Sequence, residues 1–182
     1  VLTGLEPVRK RPGMYTDTSR PNHLVLEVID NSVDEAIAGH CSFIDVKLHK
    51  DGSVTVADDG RGMPVDKHPA EKIPGVEVIL TRLHAGGKFG GNAYRTAGGL
   101  HGVGISVVNA LSDRMTVEVV RDQTLWTQTY TRGKVGTKLQ NKGSTRNRRG
   151  TTVSFHPDPE IFGGDTEFPA ARLYAMARSK AY

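Results

Sequence analysis

Between Pro21 and Gly39 the apolar positions recur at helical spacing. At about 100° per residue, Leu26, Ile29, Val33, Ala36 and Ile37 share one broad face. Pro21 suits a first turn and Gly39 a C-terminal stop, so a helix is predicted across that span. The period then changes. Ile44, Val46 and Leu48 alternate with Asp45, Lys47 and His49, as in a half-buried strand. Asp51-Gly52 is a hairpin turn signal, and residues 53–57 return as the partner strand. Residues 76–83 predict a short helix, 84–99 a glycine-rich loop and 104–111 another helix. Residues 115–120, 125–131 and 151–155 alternate as strands, and the intervening 132–150 is basic and turn-prone, ending in Arg146, Arg148 and Arg149. The opening residues 1–20 read as irregular, and 170–182 as helical up to the last residue. This order predicts an α+β fold, a largely antiparallel sheet with helices on one face, rather than a doubly wound sheet.

Opposite the apolar face of the first helix lie His23, Glu27, Asn31, Asp34 and Glu35. Glu27 and Asn31 are one turn apart and point to the same place. A solvated face is the ordinary reading of such a stripe. Yet no Lys or Arg is interleaved between His23 and Glu35, and carboxylates beside an Asn amide suit a hard cation or activation of water.

Three glycine-rich segments follow. Asp58-Asp59-Gly60-Arg61-Gly62-Met63-Pro64 comes directly after a predicted strand. Val65 stands where a dinucleotide fingerprint needs its third Gly, so that reading fails. A strand end delivering the Asp58 carboxylate to a pocket fits better, with the glycines admitting a flat ligand; an acidic surface turn is the alternative. His84 to Asn92 carries Lys88 among four glycines, which fits either a lid over phosphates or an idle loop. Gly98 to Gly104 runs into a helix, an arrangement that offers free backbone N–H groups to an anion. No Walker A pattern occurs, so nucleotide binding here would not use a P-loop.

Composition narrows the class. The 182 residues suit one domain, and the 21 glycines are well above the average of roughly 7%. No run reaches the ~18–20 apolar residues of a membrane-spanning helix. The single Cys41 can form neither an internal disulfide nor a zinc cluster and fits a reducing cytoplasm. A net charge of +4 permits a polyphosphate or nucleic-acid partner without arguing for one.

Order and spacing together are more specific than any single segment. Glu27-x-x-x-Asn31-x-x-Asp34-Glu35, Asp58-x-Gly60-x-Gly62, Gly99-Leu100-His101-Gly102-Val103-Gly104 and Gly150-Thr151-Thr152 resemble the superfamily of gyrase, heat-shock chaperone, histidine kinase and MutL ATPases. Within it, the run from Gly4 to Tyr15 and the segments 27–40, 58–65 and 83–111 resemble the ATPase domains of bacterial type II topoisomerases. The stretch Thr16 to Leu24 and Met63 resemble the topoisomerase IV branch more than its gyrase B sister.

The resemblance implies a two-layer Bergerat-type sandwich with a mobile glycine-rich lid, ATP and Mg2+ as ligands, and a cytoplasmic location at the nucleoid. Residue by residue, it implies Glu27 as general base with His23 orienting the water, and Asn31 as magnesium ligand. Asp58 would read adenine with Thr151 as helper, Arg61 paired with Glu35 would lie on the adenine plane, and Gly62, Met63 and Pro64 would line the pocket. Gly99, Leu100, His101, Gly102, Val103, Gly104 and Ile105 would wrap the phosphates, Lys88 and Tyr94 would sit in the lid, and Arg121 would stand at the mouth where aminocoumarins bind relatives. Implied partners are a second copy of the ATP-binding B subunit, the DNA-cleaving A subunit of topoisomerase IV, DNA and ATP-competitive inhibitors; no membrane is implied.

The expectation is a single N-terminal ATP-binding domain, 1–182, cut from a longer protein. The family's N-terminal arm would precede Val1, and the transducer that supplies a Lys to the γ-phosphate would follow Tyr182. Such a fragment should be monomeric and should bind ATP but turn it over slowly. Two other classes compete: a histidine-kinase-like phosphotransferase, which would lack a base placed as Glu27 is, and a DNA-binding module using Arg146 to Arg149.

Overall fold

The computed structural model describes residues 4–83 and 104–163, with Phe168, Arg172, Tyr174, Ala175 and Arg178. Its helices are α1 (Glu6–Lys10), α2 (Asn22–Ile37), α3 (Gly75–Thr81), α4 (Gly104–Ala110) and α5 (Pro159–Phe162). Its strands are β1 (Ile44–Leu48), β2 (Val54–Asp58), β3 (Ser112–Arg121), β4 (Thr124–Thr131), β5 (Lys134–Val135), β6 (Gln140–Ser144) and β7 (Gly150–Pro157). The seven strands form one sheet in the order β1-β2-β7-β3-β4-β5, with β6 also on β4. Every pairing among them is antiparallel.

Alternation decides which sheet face is covered. Val54 and Val56 of β2, Val153 and Phe155 of β7, and Met115, Val117 and Val119 of β3 are buried. They form one core with Leu24, Val25, Val28 and Ile29 of α2, Leu80 of α3 and Val107 and Val108 of α4. Each such side chain taken out of water contributes about 1.5–3 kcal/mol. Asp58 is the next inward position of β2 after Val54 and Val56. A strand whose pattern is apolar up to its last residue thus delivers a carboxylate to the edge of the core.

The expected α+β class holds, and four details differ. Residues 1–20 are not irregular throughout: they hold α1 and a 3-10 turn, Pro12–Met14. One turn of helix is too short for periodicity to reveal. Arg9 holds it in place, donating from Nη1 to the carbonyl of Ala110 (2.8 Å) and from Nη2 to the buried Asp158 (2.8 Å). The apolar face of α2 is rotated from the expected one. Leu24, Val25, Val28, Ile29 and Ser32 are buried, Leu26 and Val33 only partly, and Ile37 is 74% exposed. Ser32 counts as polar in a hydropathy pattern, yet it faces inward to reach Asp58. The segment 132–150 contains β5 and β6, whose residues are all exposed and so carry no alternation. Finally, β1 is an edge strand, half-buried over its first three residues and exposed at Lys47 and Leu48. In the region 170–182, the described residues Arg172, Tyr174, Ala175 and Arg178 are helical.

Asp158 ties the two ends of this layer together. Its fully buried side chain caps α5 through the Glu160 N–H and accepts from Arg9 and from Arg132 Nε (2.9 Å). Burial alone would raise its pKa, but Arg132, the cap and Arg9 together bring it below the ordinary carboxylate value. A carboxyl lowered on folding stabilises the protein above its unfolded pKa of about 3.9, and that contribution is lost as pH falls through the lower folded value. Urea titrations should find Asp158→Asn less stable by about 3 kcal/mol at pH 7, since two guanidiniums lose their buried partner. Between neutrality and pH 3 the variant should lose less stability than the wild type.

Candidate nucleotide site

The first anchor of the site is a close backbone approach. Gly150, at the start of β7, has φ +109°, and a Cβ there would lie 2.0 Å from the Asp58 carbonyl oxygen. No side chain fits at that distance. The approach brings the next N–H, that of Thr151, within 3.2 Å of Asp58 Oδ1. Gly60 N–H donates to the same oxygen (2.9 Å), and Ser32 Oγ of α2 donates to Oδ2 (2.7 Å). Asp58 is only 8% exposed. An ionised carboxylate has about four acceptor positions, and the described residues fill three. One remains, the complement of an N–H donor such as the exocyclic amine of adenine.

Thr151 is the second anchor. Its Oγ1 accepts the N–H of Met63 (3.0 Å), and both residues are buried. The chain from Asp58 to Pro64 is thereby held at two points on β7. Gly62 lies between them with φ +82°, and its carbonyl accepts Arg121 Nη1 (2.8 Å). Pro64 continues the loop, its carbonyl accepting the Val76 N–H at the start of α3 (2.7 Å).

Glu35 and Arg61 form the expected pair. Glu35 Oε2 accepts Arg61 N (3.0 Å) and Nε (3.2 Å), and Oε1 accepts Nη2 (2.6 Å). Partial burial would raise the Glu35 pKa, but the Arg61 hydrogen bonds outweigh it and the carboxyl is lowered. The guanidinium plane is fixed by this fork, as stacking on a flat ligand requires.

Glu27 and Asn31 stand one turn apart on α2, both half-buried, and His23 one turn before Glu27 is exposed. Among the described residues no group of three or more His, Cys, Asp or Glu could cage a metal ion. A Mg2+ here would need the Asn31 carbonyl and oxygens of a bound polyphosphate, an arrangement this cation favours because it keeps few protein ligands. Gly104 opens α4 with φ +71°, and Ile105 is buried behind it. Lys88, Tyr94, Gly99, Leu100, His101, Gly102 and Val103 lie outside the described residues.

Sequence reasoning missed Ser32, Arg149 and the role of Gly150. Ser32 continues the buried series 24, 25, 28, 29, which the structure and not the hydropathy pattern reveals. The expectation of a DNA-facing basic run is weakened, because two of its arginines are engaged. Arg148 pairs with Glu118 (2.6 Å), and Arg149 binds the carbonyls of Gly60 and His40. A separate concavity of about 940 Å³, lined by α1, the end of α3 and the β4–β5 turn, holds none of the expected site residues.

A family model described as histidine kinase-, DNA gyrase B- and HSP90-like ATPase matches residues 16–161. The chain belongs to this ATPase family. It is 58% identical over 182 residues to the B subunit of DNA topoisomerase 4 of Pseudomonas aeruginosa, and equally so to that of Escherichia coli K12. It is 57% identical over 185 residues to the B subunit of DNA gyrase of Clostridium acetobutylicum. Each alignment takes in the whole chain and 29% of the relative, so the chain spans less than a third of their length. Among solved structures it is similar to the topoisomerase IV ATP binding domain of Francisella tularensis in complex with a small-molecule inhibitor. That match has a TM-score of 0.84 and 43% identity and covers 100% of this chain and 85% of the other. The 43K ATPase domain of Thermus thermophilus gyrase B, in complex with an aminocoumarin, matches with the same score and identity over 98% of this chain and 45% of its own. As a member of this ATPase family the chain binds ATP. Among its described residues no helix is long and apolar enough to cross a membrane.

Gly150→Ala should cost more than ~3 kcal/mol, because it combines a left-handed φ with a backbone collision. Gly143, at φ +98° in exposed β6 with nothing near its Cβ position, is the control, and Gly143→Ala should cost only about 1–2 kcal/mol. Urea melts of the two variants compare them directly.

Proposed function

We propose that the chain is the N-terminal ATP-binding and hydrolysing domain of the B subunit of a bacterial topoisomerase IV, working in the cytoplasm. The observation that carries the nucleotide reading is the Asp58 carboxylate, buried and left with one acceptor position by its three donors among the described residues. It takes the adenine amine, Thr151 supports the same edge, and the Arg61 guanidinium covers the ring. Met63 and Pro64 form the apolar wall, and Gly62 allows close passage. Arg121 stands at the mouth, where an aminocoumarin or another ATP-competitive inhibitor would meet a fixed guanidinium.

From the adenine the phosphates run along α2 towards Asn31 and the start of α4. By the family resemblance Lys88, Tyr94 and residues 99–105 would meet them, and α4 would present its first N–H groups to the chain of charge. Mg2+, when bound, neutralises phosphate charge and aligns the γ-phosphoryl group. Asn31 would hold it. Glu27 accepts a proton from the attacking water, and His23 orients that water. Positioned acid–base groups of this kind contribute ~10²–10⁴-fold. In the whole protein, ATP binding would join two copies of the B subunit around a DNA segment and drive its passage through a break made by the DNA-cleaving partner. The same residues would serve a gyrase B domain.

The test is calorimetric titration of magnesium with a non-hydrolysable ATP analogue into this chain and its Asp58→Asn variant. One-to-one binding that weakens at least ~100-fold in Asp58→Asn is expected, since the amide presents a donor to the adenine amine. Equal binding by both would move the pocket elsewhere. No binding by either folded protein would overturn the view that this domain holds nucleotide by itself. A second comparison uses Glu27→Ala in the full-length protein: analogue affinity within about threefold of wild type, and phosphate release down by ~10²–10⁴. Labelled phosphate retained on the protein instead of released would favour a phosphotransferase.

A further inference from the structure

We propose that Arg149 is a positioning residue for the adenine-reading turn, a strap that sets the affinity of the site without touching the nucleotide. The inference rests on the reading of the Asp58 turn as the adenine site. Arg149 belongs to the basic run that the sequence offers as a nucleic-acid contact. Instead, its Nε donates to the carbonyl of Gly60 (3.0 Å) and its Nη2 to the carbonyl of His40 (3.1 Å). One rigid guanidinium therefore joins two segments far apart in sequence: the turn after β2 and the chain just beyond α2.

Both carbonyls are well chosen. The Gly60 N–H already donates to Asp58 Oδ1, so Arg149 fixes the following peptide of the same residue. Arg61 comes next, and its N–H and side chain are committed to Glu35. A rotation of the Gly60–Arg61 peptide would disturb the carboxylate that reads the amine and the guanidinium that covers the ring. His40 anchors the other side, its N–H donating to the carbonyl of Glu35 (2.9 Å). Arg149 thus closes a loop of contacts through Gly60, Arg61, Glu35 and His40.

The turn is held on its other flank by Asp59. Its Oδ1 accepts the N–H groups of Ser42 (2.9 Å) and Phe43 (3.0 Å), and its Oδ2 accepts Ser42 Oγ (2.8 Å). The Gly60 carbonyl side is held by Arg149. Placement of the strap is set by its neighbour, because Gly150 is locked against the Asp58 carbonyl. Lys could not replace it, since an ammonium on a flexible stem does not present two donors along a fixed fork.

Arg148 is the internal control. It is adjacent, equally cationic and paired with Glu118 on β3, away from the turn. The experiment compares wild type, Arg149→Ala, Arg149→Lys and Arg148→Ala in two measurements. In hydrogen exchange without nucleotide, the amides of Gly60 and Arg61 should exchange at least about fivefold faster in both Arg149 variants and be unchanged in Arg148→Ala. In calorimetry with the magnesium-bound analogue, Arg149→Ala should bind roughly tenfold more weakly, the worth of one charged hydrogen bond. Adenosine should lose the same factor, because the strap acts through the adenine end. Unchanged exchange at Gly60 and Arg61 overturns the strap. Loss of analogue affinity that spares adenosine, or that Arg148→Ala reproduces, also overturns it, since attraction of phosphate by surface charge then explains the effect. Wild type failing to bind either probe would instead overturn the adenine reading itself, a result the exchange data would distinguish.

Discussion

The site depends on the contact of one glycine with one carbonyl. Where β7 begins, the backbone of Gly150 lies so close to the Asp58 carbonyl that a single methyl group would be 2.0 Å away. From that approach follow the donation from Thr151 to Asp58, the reach of Thr151 Oγ1 to the Met63 N–H, and the direction in which Arg149 leaves the strand. A buried carboxylate without donors would be costly. Three donors from three segments, α2, the Gly60 turn and β7, are what allow an acceptor to sit at the edge of an apolar core.

The same solution recurs at the other end of the sheet for a structural purpose. Asp158 is wholly buried, and its oxygens are met by Arg9, Arg132 and the first N–H of α5. The difference lies in what is left over. Around Asp158 two of the three partners are charged, Arg9 of α1 and Arg132 of the β4–β5 turn, and the third is an α5 N–H, so the carboxylate closes the fold and pins the first helix. Around Asp58 the described partners are neutral hydroxyl and backbone groups, and they leave one acceptor position. Neutral donors hold a carboxylate in place while leaving its charge to a ligand.

Legibility in the sequence follows the range of the interaction. Period and turn chemistry are local, and they suffice for α2, the β1–β2 hairpin, α3, α4 and the long strands β3, β4 and β7. Where an element is held by distant partners, the local pattern is silent. The single turn of α1 owes its place to Arg9 and a carboxylate 149 residues away. The strands β5 and β6 are exposed along their whole length and are defined by pairing with β4, not by burial. The face of α2 is misread for a related reason: Ser32 looks like a solvent position until Asp58, 26 residues on, is brought beneath it. In the site, Asp58, Glu35 and Arg61 stand out because their spacing forms a motif, whereas Gly150 and Arg149 act only through segments 89 or more residues away.

On the proposed reading, the two halves of the pocket solve different problems. The adenine half is built wholly from described, hydrogen-bonded residues, and its selectivity comes from geometry set before any ligand arrives. An acceptor held by Ser32, Gly60 and Thr151 cannot turn to offer a donor, so a purine with a carbonyl in place of the amine would set two acceptors against each other. Rejection of that kind exceeds what an apolar pocket achieves by shape. Among the described residues the phosphate half offers Glu27, Asn31 and the start of α4, groups whose part on this reading is to activate water and hold a cation rather than to read the base.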